Sequence, residues 1–62
     1  MSLTLEPNLA APDDVYEALI KAHDGLSRDE SEALNARLIL ILINQIGDPG
    51  VIRQALAVAR EG

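Results

Sequence analysis

The 62-residue chain has no cysteine, no tryptophan and no phenylalanine, and its one aromatic side chain is Tyr16. Without cysteine it lacks the disulfides and thiolate metal sites that staple many small folds. The single histidine, His23, excludes the common structural zinc sets, which draw several ligands from Cys and His. Cations are also scarce, with five Lys and Arg against ten Asp and Glu. The deficit is uneven: residues 1–32 carry eight acids and two bases, a balance of −6, whereas residues 33–62 carry two acids and three bases, a balance of +1. No nucleic-acid partner is expected, because phosphate binding needs clustered positive charge. No membrane span is expected either, since no apolar run approaches the roughly 20 residues that cross a bilayer. Residues 1–9 lack a basic start and contain Glu6 and Pro7, which does not read as a secretory leader. Cytoplasmic location is the default expectation.

What the chain has in excess is aliphatic surface. Leu38-Ile39-Leu40-Ile41-Leu42-Ile43 is an unbroken apolar run inside a helical pattern. Six consecutive residues cover every side of a helix, so such a segment must be buried all round by its own chain and a partner. A chain of about 60 residues buries only roughly 60% of its unfolded surface. Lacking staples, it needs well-packed helices or oligomerisation to fold firmly.

The pattern reads as all-α: a three-helix subunit with an extended N-terminal arm over residues 1–11 and a single helical domain over 12–62. In the arm, Leu3 and Leu5 alternate with Thr4 and Glu6 before the Pro7-Asn8 turn; it is either a frayed end or a strap laid over a helix or partner. The first helix is expected over 12–24, with Pro12 at its first position, Asp13 and Asp14 at the positive end of its dipole, and Gly25 as its stop. Tyr16, Leu19, Ile20 and His23 follow i, i+3, i+4, i+7 and are read as its inner face, with Val15 at the edge. Ser27 and Glu30 have capping-box spacing and open a second helix over 28–46, closed by Gly47. The third, over 49–60, starts at Asp48-Pro49, with Val51, Ile52, Ala55, Leu56 and Ala59 inward. A strand is the minor alternative for 38–43, but Asn35 and Arg37 continue the helical register.

Projection at 100° per residue divides the second helix into two apolar strips. Leu34, Leu38, Ile41 and Leu42 form one; Ala33, Ala36, Ile39, Leu40, Ile43 and Ile46 form the broader other. Glu30, Arg37 and Asn44, spaced by sevens, form a narrow polar seam. One strip is expected under the other two helices and the second against another chain, most simply in a helical-bundle homodimer. The interface is therefore placed at Leu38, Ile39, Leu40, Ile43 and Ile46.

Catalytic groups are sparse. His23 is the one imidazole and so the first candidate for acid–base chemistry, yet no nucleophile or second ligand accompanies it, and adjacent Asp24 points about 100° away on a helix; a hydrogen-bonded helix-end histidine is the favoured reading. Asp13, Asp14 and Glu17 could make a weak divalent-ion site, although helix-start stabilisation already accounts for the aspartates. Asp24-Gly25-Leu26-Ser27 only superficially resembles the phosphopantetheine-bearing serine motif of carrier proteins, and Ser27 is read as a cap. No catalytic residue, cofactor or metal is assigned, and the chain is not read as an enzyme. Asn35, Arg37 and Asn44 are polar groups beside much apolar surface, and either remain solvated or pair across an interface.

Pro7-Asn8-Leu9, Pro12-Asp13-Asp14, Tyr16, His23, Gly25-Leu26, Leu34-Asn35-Ala36-Arg37-Leu38, Asn44 and Ile46-Gly47-Asp48 together resemble DUF2783, a family of small bacterial proteins of unknown function. The resemblance spans nearly the whole chain. It implies a bacterial protein whose genes often adjoin flavin-dependent aromatic-ring monooxygenases and other aromatic-degradation enzymes, and hence a possible partner enzyme. The favoured function is a non-catalytic protein–protein interaction protein, a homodimer or an accessory subunit of such a system. The alternative is a small-ligand binder or enzyme with a pocket around Tyr16, His23, Asn35 and Arg37, in which Arg37 holds a carboxylate and His23 moves protons. A transcriptional regulator or antitoxin would need a basic surface that the sequence lacks.

Overall fold

A computed structural model describes residues 3–62; Met1 and Ser2, the start of the expected arm, lie outside the described residues. The described residues form three α-helices and no strand: α1 (Pro12–Ala22), α2 (Arg28–Ile46) and α3 (Pro49–Glu61). Residues 3–11 precede them without regular structure.

Each boundary has a local cause. Pro12 stands at the start of α1 with Asp13 and Asp14 in its first turn, where missing donors and the helix dipole suit these residues. Its N-cap, Ala11, makes no side-chain cap and holds φ 51°, ψ 57°, while its carbonyl accepts from the Val15 N–H at 3.2 Å. The helix ends at Ala22, short of the expected Asp24, because the chain tightens there. The N–H groups of His23 and Asp24 donate to Ile20 and Lys21 at 3.0 and 3.1 Å, three residues back instead of four. Gly25 then takes φ 76°, a conformation open to glycine without a Cβ penalty.

Reciprocal hydrogen bonds between Ser27 and Glu30 open α2, and Gly47, at φ 75°, closes it with its N–H on the Ile43 carbonyl at 2.9 Å. The Asp48 carboxylate opens α3, accepting from the Gly50 and Val51 N–H groups at 2.9 and 3.4 Å. Arg60 lies in its last turn, beside the negative end of the dipole. On α1, Lys21 and Glu17 form an exposed i,i+4 ion pair at 2.8 Å, of small energetic weight.

Packing departs from the expected covered bundle. The α3 backbone approaches α2 closely, while α1 approaches neither other helix to that degree. The radius of gyration is 13.3 Å, against about 10.6 Å for a folded domain of this length. The accessible surface is 5528 Å², whereas a folded monomer of 6.7 kDa has about 3,900 Å². Among the described residues only Val51, 6% exposed, is a buried hydrophobic side chain. Neither strip of α2 is fully covered. The short Gly47-Asp48 link sets Pro49, Ile52 and Arg53 of α3 beside Ile43 and Asn44 of α2, and α1 stands off across a groove.

Candidate association surface

Ile39, Leu40, Ile41 and Leu42 are 54, 66, 63 and 50% exposed. Successive helical residues turn by about 100°, so these four side chains form an apolar belt around nearly the whole circumference of α2. An isolated exposed leucine needs no explanation, but a contiguous belt does. Ala33, Ala36 and Ile46 extend the exposed surface along the broader strip, on which Ile43 is half-buried.

The other strip faces α1. A groove of about 610 Å³ lies between the helices, walled by Val15, Ala18, Leu19 and Ala22 of α1 and by Leu34, Leu38, Ile41 and Leu42 of α2, with Arg37 alongside. The inner face of α1 is thus turned by one residue from the expected one. Val15, Ala18, Leu19 and Ala22 face α2, whereas Tyr16 and Ile20 are exposed and outside the groove. Both quartets satisfy i, i+3, i+4, i+7; bulk favours the quartet containing Tyr16 and Ile20, but two alanines let the other side face α2. Leu38 lines this groove, whereas the expected interface groups it with Ile39, Leu40, Ile43 and Ile46.

A second hollow, of about 420 Å³, sits at the α2–α3 corner and is lined by Ile43, Asn44, Gly47, Pro49, Ile52 and Arg53. The polar candidates do not share either of these two hollows. Arg37 lines the α1–α2 groove, Asn44 lines the corner hollow, and Tyr16, His23 and Asn35 line neither. His23 is half-buried as the C-cap of α1, its N–H bonded to the Ile20 carbonyl. Neither the groove nor the corner hollow gathers Tyr16, His23, Asn35 and Arg37 on one wall.

Backbone and hydroxyl hydrogen bonds from Ser27 hold the Glu30 carboxyl below its ordinary pKa; this is the capping interaction, at the opposite end of α2 from the Gly47 corner. Among the described residues no group of three or more His, Cys, Asp or Glu side chains is placed to hold a metal ion. None of the described helices is long and apolar enough to cross a membrane. Arg37 and Arg53 have no ion pair among the described residues, although both stand beside apolar surface.

No curated protein and no solved structure matches the chain. A family model described as "Protein of unknown function (DUF2783)" matches residues 3–61, and so the chain belongs to the DUF2783 family.

Proposed function

We propose that this protein is a non-catalytic helical association module that works by burying α2 against other polypeptide surface. The observation supporting this reading is the apolar belt of Ile39, Leu40, Ile41 and Leu42, exposed on successive sides of one helix. The excess accessible surface, about 1,600 Å² over a folded monomer of this mass, is twice the roughly 800 Å² that each partner contributes to a standard-size interface. An aliphatic belt of this kind suits permanent association better than transient docking, whose interfaces are more polar. Self-association and service as an accessory subunit draw on the same belt. The aromatic-degradation setting enters through the family resemblance, and it names flavin-dependent monooxygenases as the foreign partners to test.

The test is sedimentation equilibrium with circular dichroism across a concentration series, for the wild type and for Leu40→Asp. The wild type should sediment as a dimer or larger and lose helix content on dilution, and Leu40→Asp should be monomeric and less helical. A monomeric, fully helical wild type indifferent to Leu40→Asp would overturn the reading. Co-elution with a purified flavin-dependent aromatic monooxygenase in fixed ratio would extend it to an accessory role.

A further inference from the structure

Resting on the reading of α2 as an association surface, we infer that the occupant of its broader strip is a second copy of this chain, packed antiparallel across a two-fold axis that crosses that strip at the level of Ile41 along the helix. The strip is not uniform along its length. Toward the start of α2 it carries Asp29, Glu32, Ala33 and Ala36, and toward the end Ile39, Leu40, Ile43 and Ile46. One half is small and acidic, and the other is large and aliphatic.

In a parallel pair each residue meets its own copy. Alanine would face alanine and leave voids while isoleucine faced isoleucine, so the helix spacing could not suit both ends. Asp29 and Glu32 would also be set against Asp29 and Glu32, a like-charge contact that disfavours the arrangement. Reversing one helix removes both conflicts. Ala36 then faces the partner's Ile46 at either end, with Ile39 and the partner's Ile43 between, so that alanine meets a large side chain and the spacing stays more nearly constant. The helix dipoles oppose each other as well.

Charge supports the same register. With the axis near Ile41, Glu32 lies roughly 13.5 Å from it along α2, at 1.5 Å per residue, just past the Gly47 end of the partner's helix. Arg53 is exposed there, lining the Ile43–Pro49 corner hollow, and has no ion pair among the described residues. Glu32 of one chain thus comes beside Arg53 of the other, twice by symmetry. Such complementarity between two halves of one strip is what an isologous interface requires. The surface leaves room for such a pairing: the whole chain carries about 1,600 Å² more than a folded monomer of its mass, and a standard-size interface takes roughly 800 Å² from each partner.

The absence of native cysteine makes orientation directly measurable. Equimolar Ala36→Cys and Ile46→Cys chains are mixed, unfolded and refolded together, oxidised, and their disulfides counted by mass spectrometry. Antiparallel packing predicts that the heterodisulfide, joining position 36 of one chain to position 46 of the other, exceeds either homodisulfide at least about fivefold, against the twofold excess of random collision. Homodisulfides in excess would overturn the antiparallel arrangement while leaving association intact. A random distribution would overturn any fixed pairing, and a wild type that sediments as a folded monomer would overturn the association reading itself. Glu32→Arg and Arg53→Glu, both at exposed positions, give an independent test that does not disturb the apolar layers. Each should raise the dimer dissociation constant about tenfold and the double variant should restore it to within about threefold; additive weakening would overturn the register.

Discussion

Ser27 and Glu30 cap one another: the Ser27 N–H donates to Glu30 Oε1 at 2.9 Å, and the Glu30 N–H donates to Ser27 Oγ at 3.2 Å. Two donors that the start of a helix leaves unpaired are thereby satisfied. Replacing Ser27 by alanine should cost about 1 kcal/mol, measured by urea unfolding. The pairing also makes α2 sensitive to acid. Because these bonds hold the folded pKa of Glu30 below its ordinary 4.5, its contribution is complete above that value and is lost as pH falls through the lower, folded one. Helix content should decline below pH 4.5 with a component that Glu30→Gln lacks. An identical acid titration for the two proteins would contradict this.

Ala11 is the one non-glycine residue with positive φ among those described, at φ 51° and ψ 57°. A Cβ in that region costs roughly 1–2 kcal/mol, and alanine is also a poor N-cap, whereas glycine is acceptable. Ala11→Gly should therefore stabilise the protein by about 1 kcal/mol after the added freedom of the unfolded chain is deducted. The thermal midpoint should rise without a change in assembled mass. A lower midpoint would mean that the turn into α1 is held by something other than local geometry.

The link between α2 and α3 reverses that preference. Gly47 sits at φ 75°, so Gly47→Ala introduces the strain that Ala11→Gly removes and should destabilise by about 1 kcal/mol. Next to it, Asp48 accepts from the Gly50 and Val51 N–H groups. Asp48→Ala should cost about 1–2 kcal/mol, while Asp48→Asn, which keeps the acceptor, should cost much less. Equal losses for Ala and Asn would assign the effect to the carboxylate charge, and denaturant unfolding of the three variants separates the cases.

These local devices were legible because each depends on residues within three or four positions of one another. Pro12, Ser27 with Glu30, Gly47 and Asp48 mark helix ends by their own chemistry, and α2 spans Arg28–Ile46 between two of them. The end of α1 was less legible: Gly25 is visible as a stop, but the tightening at His23 and Asp24 that ends the helix at Ala22 carries no residue signature. The direction of α1 was not legible either, because Val15-Ala18-Leu19-Ala22 and Tyr16-Leu19-Ile20-His23 share one periodicity, and the choice depends on tertiary fit. The surplus of apolar surface could be read from the Leu38–Ile43 run. Its distribution between a groove shared with α1 and an open strip could not, since it depends on how far a two-residue link lets α3 lie along α2.

Val51 and Leu40 mark the contrast between what the single chain buries and what it leaves open, at 6 and 66% exposed. Val51→Ala removes the buried side chain, at a cost of about 1–2 kcal/mol, and should lower the thermal midpoint by a similar amount at every protein concentration. Leu40→Ala removes less from the isolated chain, because the leucine is already solvated there, yet it strips the centre of the belt. Its penalty should appear mainly as weaker association. For the wild type, association linked to folding makes the midpoint depend on concentration, by about 5 °C per tenfold dilution for a dimer of two such chains. Leu40→Asp should flatten that dependence, while Val51→Ala should shift the line without changing its slope. A wild-type midpoint constant over a hundredfold range would show that the chain folds without a partner despite its exposed belt, and that the belt serves something other than permanent assembly.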